Sequence, residues 1–286
     1  MNFLRVTNLL YRFFGYIAVW PAMYALGVFI LGTWLVLGTG VNSDSTVYIL
    51  LCAHNCYLLD RVKVTDRRQD PADALALPIR AFLFSRFSKP VRWIVGFELL
   101  ASTLVGWRIH PLLAVIPLIS CIVVHLYAGR GASPESPRLK DLPAIKAFMT
   151  ASGHLALTFA VLWANQHDLL DHASWNMAAT IFGLWFIVSG DAVLCDIDDH
   201  NADNRYSTKS LSVMLGTRSA WFTALGLIAL GSFLIVFNPV AFSASIGIGA
   251  TLVVTTLATQ KNPNHRDFVD VRLLPIVLIW IWAVSS

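Results

Sequence analysis

The chain has 286 residues, of which 56% are hydrophobic and only 13% are charged, and its mean hydropathy is +0.63. Soluble domains have about 45–50% apolar and about 25% charged residues. The composition therefore excludes an ordinary soluble protein and predicts a single all-α domain, residues 1–286, embedded in a lipid bilayer. The net charge of +4 does not indicate nucleic-acid binding, because the loops of a membrane protein need basic residues for orientation.

Nine apolar segments are long enough for membrane-spanning helices, which need about 20 mostly apolar residues. In chain order they cover residues 15–38, 45–61, 91–108, 111–128, 144–164, 175–195, 218–237, 240–258 and 270–285. The amphipathic N-terminus lacks a small-residue cleavage site, so we expect no signal peptide. The four cysteines lack the spacing of a disulfide or zinc set and are expected to be small buried side chains.

The distribution of basic residues orients these spans. If the N-terminus is cytoplasmic, all of the 21 Lys and Arg residues except Arg108 fall on the cytoplasmic side. Such an excess of positive charge marks the cytoplasmic face of membrane proteins. The pattern predicts a cytoplasmic N-terminus, an external C-terminus and chemistry at the cytoplasmic face, and it fits a bacterial inner membrane.

Three aspartates end the sixth predicted span with DxxDxxxD spacing: Asp196, Asp199 and Asp203. On a continuous helix this spacing places all three on one face. Mg²⁺ would relieve their repulsion, because it prefers carboxylate oxygens and the phosphates of substrates. The alternative, a solvated acidic helix end, is opposed by the helix dipole. Asp191 lies deeper, where an ionisable residue indicates function, unless it is a helix-end acid reached by water.

This region resembles the second conserved motif of the UbiA prenyltransferase superfamily. The positions in register are Asp196, Ile197, Asp199, Asp203, Leu211, Leu215 and Gly216. Serines stand where the family motif has Gly, Thr and Pro, at Ser207, Ser210 and Ser212.

The end of the second predicted span resembles the first family motif, N-D-x-x-D-x-x-x-D, less closely. Asn55 takes the place of the family Asn and Asp60-Arg61 that of the central D-R, but Cys56 replaces the Asp after Asn. The last Asp of the motif is either lost or displaced to Asp66. An interhelical hydrogen bond is the alternative role for Asn55. A solvated loop is the alternative for Asp66, Asp70 and Asp73, because DRRQDPAD is rich in charge and contains Pro71.

A diphosphate also needs fixed positive charge. The resemblance implies that Arg61, Lys140, Lys146 and Lys209 bind the diphosphate together with the amide of Asn55, although orientation alone also requires basic residues here. Asp267 and Asp270, before the last span, are weaker candidates beside the alternative of a solvated loop.

The resemblance implies a ring of transmembrane helices around a central cavity that opens sideways to lipid. It implies Mg²⁺-dependent transfer of an isoprenoid group from a prenyl diphosphate to an aromatic or other lipophilic acceptor. Asp60 and the three aspartates of the second motif would bind metal, with Asn55 beside Asp60, while Asp191 and Asp60 would be catalytic. The alternatives are a terpene cyclase or diphosphate-releasing enzyme of this fold, and a non-catalytic lipid-binding or transport protein.

Overall fold

A computed structural model describes residues 3–64, 71–129, 138–166, 175–238, 242–260 and 265–285, and within these ranges the chain forms helices and no β-strand. The helices are α1 Phe3–Tyr16, α2 Val19–Leu37, α3 Ser43–Val62, α4 Pro71–Ala76, α5 Pro78–Arg86, α6 Ser88–Ile109, α7 Ile116–Ala128, α8 Ile145–Asn165, α9 Trp175–Asp198, α10 His200–Arg205, α11 Leu211–Leu215, α12 Thr217–Val236, α13 Phe242–Thr259 and α14 His265–Ser285. Short 3₁₀ helices cover Pro111–Ala114 and Leu139–Asp141.

Seven helical segments in the described ranges are long and apolar enough to cross a membrane, which indicates a multi-pass membrane protein. They are Val19–Leu37, Pro111–Ala128, Ile145–Asn165, Trp175–Asp198, Thr217–Val236, Phe242–Thr259 and Arg266–Ser285. The second and third predicted spans are present as α3 and α6, which have 20 and 22 residues. They are less apolar because ionisable side chains, such as Asp44 in α3 and Glu98 in α6, lie within them.

The first predicted span, 15–38, is divided into two helices. Ala18 has a φ of 68°, in the left-handed region, and separates α1 from α2. The Trp20 indole N–H donates to the Tyr11 carbonyl at 2.7 Å and fastens α1 across this break. Arg61 of α3 donates to the carbonyls of Gly15, at 2.5 Å, and Tyr16 at the end of α1. A composition-based span cannot reveal this break, because both sides of it are apolar.

Part of the segment that the sequence predicts as a loop is helical. Pro71 begins α4 and Pro78 begins α5. Proline suits the first turn of a helix, where its missing N–H has no intrahelical partner. The loop interpretation is therefore wrong for residues 71–73, whereas Asp66 and Asp70 lie outside the described residues, as does the side chain of Asp73.

Helices α9 and α12 approach each other closely through glycine. A Cβ on Gly231 would lie 2.4 Å from the Gly183 carbonyl oxygen, and one on Gly190 would lie 2.8 Å from the Ala224 carbonyl oxygen. Small residues of this kind let membrane helices pack backbone to backbone. Because α9 carries Asp191 and Asp196, this contact holds the candidate site against the buried core formed by α2, α8, α12, α13 and α14.

Candidate active site

A cavity of about 560 Å³ lies between α2, α3, α7, α8, α9 and α14. One part of its lining is apolar and includes Pro21, Ile116, Ile119, Val123 and Leu157. Its ionisable lining residues are Asp60, Arg61, Arg80, Lys140, Lys146, His154, Asp191, Asp196, Asp199, Asp203, Arg266 and Asp270, together with Tyr24, Tyr57 and Tyr127. The cavity therefore combines a highly charged region with a region suited to a hydrocarbon chain.

The three predicted metal-binding aspartates lie together. Asp196, Asp199 and Asp203 each offer an oxygen atom within 4.8 Å of the others, and no other such acidic, His or Cys group of three occurs in the described ranges. One oxygen of Asp196, Oδ2, is buried with no hydrogen-bond partner among the described residues. A buried carboxylate oxygen without a partner is costly. These carboxylates could therefore hold a divalent cation.

The trio is not built on one continuous helix, as the spacing argument assumed. Helix α9 ends at Asp198, Asp199 forms a turn, and α10 begins at His200. The Asp203 N–H donates to the Asp199 carbonyl at 2.8 Å, which keeps the two side chains adjacent across the junction. The Ser212 hydroxyl donates to the Asp196 carbonyl at 2.9 Å and ties α11 to the end of α9.

Lys146 and Arg266 contact the aspartates. The Lys146 Nζ atom lies 2.9 Å from Asp196, 3.1 Å from Asp199 and 2.9 Å from Asp203. Arg266 pairs with Asp199, and its backbone N–H donates to Asp198 at 2.7 Å. Burial alone would raise the pKa of Asp199, but the charges of Arg266 and Lys146 outweigh burial and hold that pKa well below its ordinary value of 3.8. Asp199 is therefore ionised at neutral pH.

The segment before α8 places Lys140 in the lining of the cavity, and Lys146 follows as the second residue of α8. Arg138, whose side chain is fully buried, donates to Asp141 at 2.7 Å and to Thr208 at 3.0 Å. Thr208 in turn donates to Asp141 at 2.7 Å. Burial alone would raise the pKa of Asp141, yet its hydrogen bonds with Arg138 and Thr208 lower that pKa below 3.8. This network joins the segment between α7 and α8 to the segment between α10 and α11.

The first motif contributes part of what the sequence predicts. Asp60 and Arg61 line the same cavity as the three aspartates. Asp60 pairs with Lys63 at 2.5 Å and is not a member of the three-carboxylate group. Arg61 donates to the end of α1, as described above, and also lines the cavity, so it contacts both α1 and the cavity.

Two predicted diphosphate ligands do not line the cavity. The Asn55 side chain is buried, donates to the Val95 carbonyl at 2.6 Å and accepts from Cys121 at 3.4 Å. This is an interhelical hydrogen bond, the alternative role considered above. Lys209 is exposed, and its backbone bonds to the segment before α8, where its carbonyl accepts from the Ala144 N–H at 3.0 Å.

Asp191 belongs to a buried network that the sequence does not reveal. It pairs with Arg272 of α14, and the side chains are 3% and 2% exposed. The Tyr24 hydroxyl donates to its other oxygen at 2.8 Å. Arg272 also donates to Thr256 at 2.9 Å and to Thr255 at 3.2 Å. Both oxygens of Asp191 therefore have partners, which favours an orienting role over that of a free base.

A tyrosine–histidine pair also lines the cavity. His154 Nδ1 lies 2.9 Å from the Thr150 carbonyl, which can only accept, so Nδ1 carries the proton. Nε2 of a neutral His154 then accepts from the Tyr57 hydroxyl at 3.2 Å. The ring of His154 is packed edge-on against Tyr24. The pair places a proton acceptor beside the Asp191 network, and a lone histidine in an apolar span gave no sequence signal for it.

The sequence also missed Arg80 and Arg266 as lining residues, and it ranked Asp270 low. These three residues lie in α5 and α14, far from both motifs in the sequence, and only the folding of the chain brings them to the cavity. Asp270 lines the cavity, whereas Asp267 does not.

Comparisons with known proteins found no matching family model, curated protein or solved structure.

Proposed function

We propose that this protein is a membrane-embedded prenyltransferase that transfers an isoprenoid group from a prenyl diphosphate to an aromatic or other lipophilic acceptor. The observation that carries the proposal is that acidic, basic and apolar residues line one cavity. A prenyl diphosphate has the matching parts: an anionic head that binds metal and cationic side chains, and a long hydrocarbon tail. The likeness of Asp196, Asp199 and Asp203 to the UbiA second motif supports the same assignment.

In this proposal the chain has nine spans arranged around the cavity, with α3 and α6 as the second and third. Glu98 of α6 pairs with His54 of α3 at 2.8 Å, and such pairing lowers the cost of placing ionisable groups at membrane depth. The basic residues then face the cytoplasm of a bacterial cell, and the charged region of the cavity opens to that side.

The aspartate trio would hold Mg²⁺, and Asp60 would supply a further carboxylate. Bound Mg²⁺ supplies Lewis-acid stabilisation of the negative charge on the diphosphate. Lys140, Arg80 and Arg61 line the same region and stabilise that charge as it develops. The bond between the allylic carbon and the diphosphate oxygen breaks, its electron pair leaves with the diphosphate, and the allylic carbon bonds to the acceptor.

The acceptor must lose a proton as the new bond forms. Asp191, held by Tyr24 and Arg272, orients the acceptor from the wall of the cavity. The lone pair of His154 Nε2 accepts from the Tyr57 hydroxyl at 3.2 Å, so the acceptor's proton would pass to the Tyr57 oxygen as the Tyr57 proton passes to His154. The apolar residues keep water from the allylic cation, so that the acceptor captures it instead.

Diphosphate release by the purified protein tests the proposal. A panel of prenyl diphosphates of different chain lengths is supplied with a mixture of aromatic acceptors, with and without Mg²⁺. We expect Mg²⁺-dependent release that is lost in Asp199→Ala and in Asp203→Ala, and retained in the control Lys89→Met, whose side chain is exposed outside the cavity. Wild-type turnover in either aspartate variant would refute the assignment.

Product analysis in the same assay separates transfer from the alternatives. A prenylated acceptor supports the proposal, whereas a cyclised or hydrolysed isoprenoid with an unchanged acceptor identifies a cyclase or hydrolase. Absence of both diphosphate release and donor binding would refute the prenyltransferase and favour the lipid-binding or transport alternative.

A further inference from the structure

Lys146 lies among the three carboxylates that would bind the metal. Its Nζ atom is within 3.1 Å of an oxygen of Asp196, Asp199 and Asp203 at once. An ammonium group has three N–H donors, and here each is directed to a different carboxylate. A divalent cation cannot take the carboxylate oxygens that now contact Nζ unless Lys146 moves away.

The local charges show what that movement costs. Among the described residues, Lys146 and Arg266 pair with the three carboxylates, so these five side chains together carry one net negative charge. A divalent cation in place of Lys146 neutralises the cluster, but it releases the ammonium into the cavity. That region already contains Arg61, Arg80 and Lys140. Of its other carboxylates, Asp60 and Asp191 are already paired with Lys63 and Arg272, which leaves Asp270. Like charges in a poorly solvated space repel strongly, so a cation alone gains little from binding.

A polyanion in the cavity changes this balance. A diphosphate offers the released ammonium a new partner and at the same time coordinates the cation. The cation and the diphosphate therefore each remove an obstacle to binding of the other.

The position of Lys146 in the fold suits such a movement. It is the second residue of α8, directly after Ala144 and Ile145, and Ala144 has a φ of 59°. A lysine at this helix end has a flexible four-carbon stem and a compact charge that can turn between partners. Arg266, in contrast, is held through its side chain to Asp199 and through its backbone to Asp198.

We infer that Lys146 acts as a built-in counter-ion that makes divalent-cation binding to Asp196, Asp199 and Asp203 dependent on a bound diphosphate. In the absence of diphosphate Lys146 neutralises the carboxylates, and on diphosphate binding it transfers to the anion. The inference rests on the proposed function and adds an order of events to it: the cation enters with the diphosphate and not before it.

The test measures Mn²⁺ binding by electron paramagnetic resonance, using the full chain in lipid nanodiscs with and without inorganic pyrophosphate. In the wild type we expect pyrophosphate to tighten Mn²⁺ binding by about 5- to 150-fold, the usual range for coupled sites. Lys146→Met should bind Mn²⁺ about tenfold or more tightly than the wild type when pyrophosphate is absent, and its gain on adding pyrophosphate should be smaller. The variant and the wild type are compared at equal Mn²⁺ and pyrophosphate concentrations, so that Mn²⁺–pyrophosphate complexes in solution affect both measurements equally.

Two matched variants control the result. Lys146→Arg keeps a positive charge and should retain weak Mn²⁺ binding without pyrophosphate. Lys89→Met removes a lysine whose side chain is exposed outside the cavity and should behave as the wild type. Lys146→Gln, which keeps a hydrogen-bond donor for the carboxylates, replaces Lys146→Met if that variant does not fold.

The outcomes separate this inference from the proposed function. If Lys146→Met binds Mn²⁺ no more tightly than the wild type without pyrophosphate, the counter-ion role is refuted. Pyrophosphate-dependent Mn²⁺ binding by the wild type would in that case still support the proposed function. If the wild type binds neither Mn²⁺ nor pyrophosphate under any condition, both are refuted.

Discussion

Replacement of Arg272 by methionine tests whether the interior of the bundle depends on its buried ion pair. Arg272 and Asp191 are 2% and 3% exposed, and the only other side chain bound to Asp191 within the described ranges is Tyr24, at 2.8 Å. Methionine keeps an unbranched, flexible side chain of similar length, so the variant removes charge and hydrogen bonds with little change in packing. The carboxylate of Asp191 is then left without its positive partner.

Removing one member of a buried ion pair costs about 3–5 kcal/mol, because the remaining charge has no compensation. Asp191 keeps the Tyr24 hydrogen bond in this variant, so we expect a loss near the lower limit, about 3 kcal/mol. Asp191→Asn should cost less, about 1–3 kcal/mol, because Arg272 keeps Thr255 and Thr256 and the new amide oxygen can still accept. The double variant leaves no unpaired charge and should lose less than the sum of the single losses.

Unfolding by increasing SDS fraction in mixed micelles, followed by the fluorescence of the ten tryptophans, measures these differences. Arg218→Met is the matched control, because Arg218 is exposed at the start of α12. A free energy of unfolding for Arg272→Met within about 0.5 kcal/mol of the wild type, the range of neutral surface substitutions, would show that the pair does not form. Additive single losses in the double variant would show that the two side chains do not interact.

Two further predictions concern the scaffold of the site. Gly231→Ala should lower the free energy of unfolding by about 1–3 kcal/mol, because its Cβ would lie 2.4 Å from the Gly183 carbonyl oxygen. Gly226→Ala on the same helix meets open space and should be neutral or slightly stabilising. Asp141→Asn should cost about 1.5–3 kcal/mol at neutral pH by weakening the contact with Arg138. The folded-state pKa of Asp141 is lowered, so its contribution is complete above the unfolded value of 3.8 and is lost as the pH falls through the folded value. Unfolding of both proteins across a pH series checks this, and a loss that stays constant below pH 3.8 would contradict it.

The helical membrane architecture could be predicted from the sequence because it follows from composition over long windows. The predicted span 111–128 coincides with Pro111–Ala128, and 175–195 with most of Trp175–Asp198. The break at Ala18 could not be predicted, because it depends on one backbone dihedral angle between two apolar segments. The count of nine spans stays a prediction, since apolarity supports seven of them in the described ranges.

The candidate site was predictable where its residues lie in a short motif. Asp196, Asp199 and Asp203 are separated by few residues, so local geometry brings them together. The partners of these residues come from distant parts of the chain, as with Arg266 beside Asp199 and Arg272 beside Asp191. A single sequence does not contain such pairings, because they arise only when α9 and α14 pack together.

The exposure of the α7 side of the cavity has a consequence for how the turnover rate would depend on the amount of lipid. Residues Pro111–Ala128 form the least buried of the seven apolar segments, yet Ile119 and Val123 line the cavity while remaining largely exposed. Under the proposed function, these exposed side chains would face the acyl chains of the bilayer, and a substrate with an isoprenoid tail would arrive by two-dimensional diffusion. Its effective concentration is then its mole fraction in the lipid phase, and adding inert lipid or detergent at constant substrate should slow turnover by surface dilution.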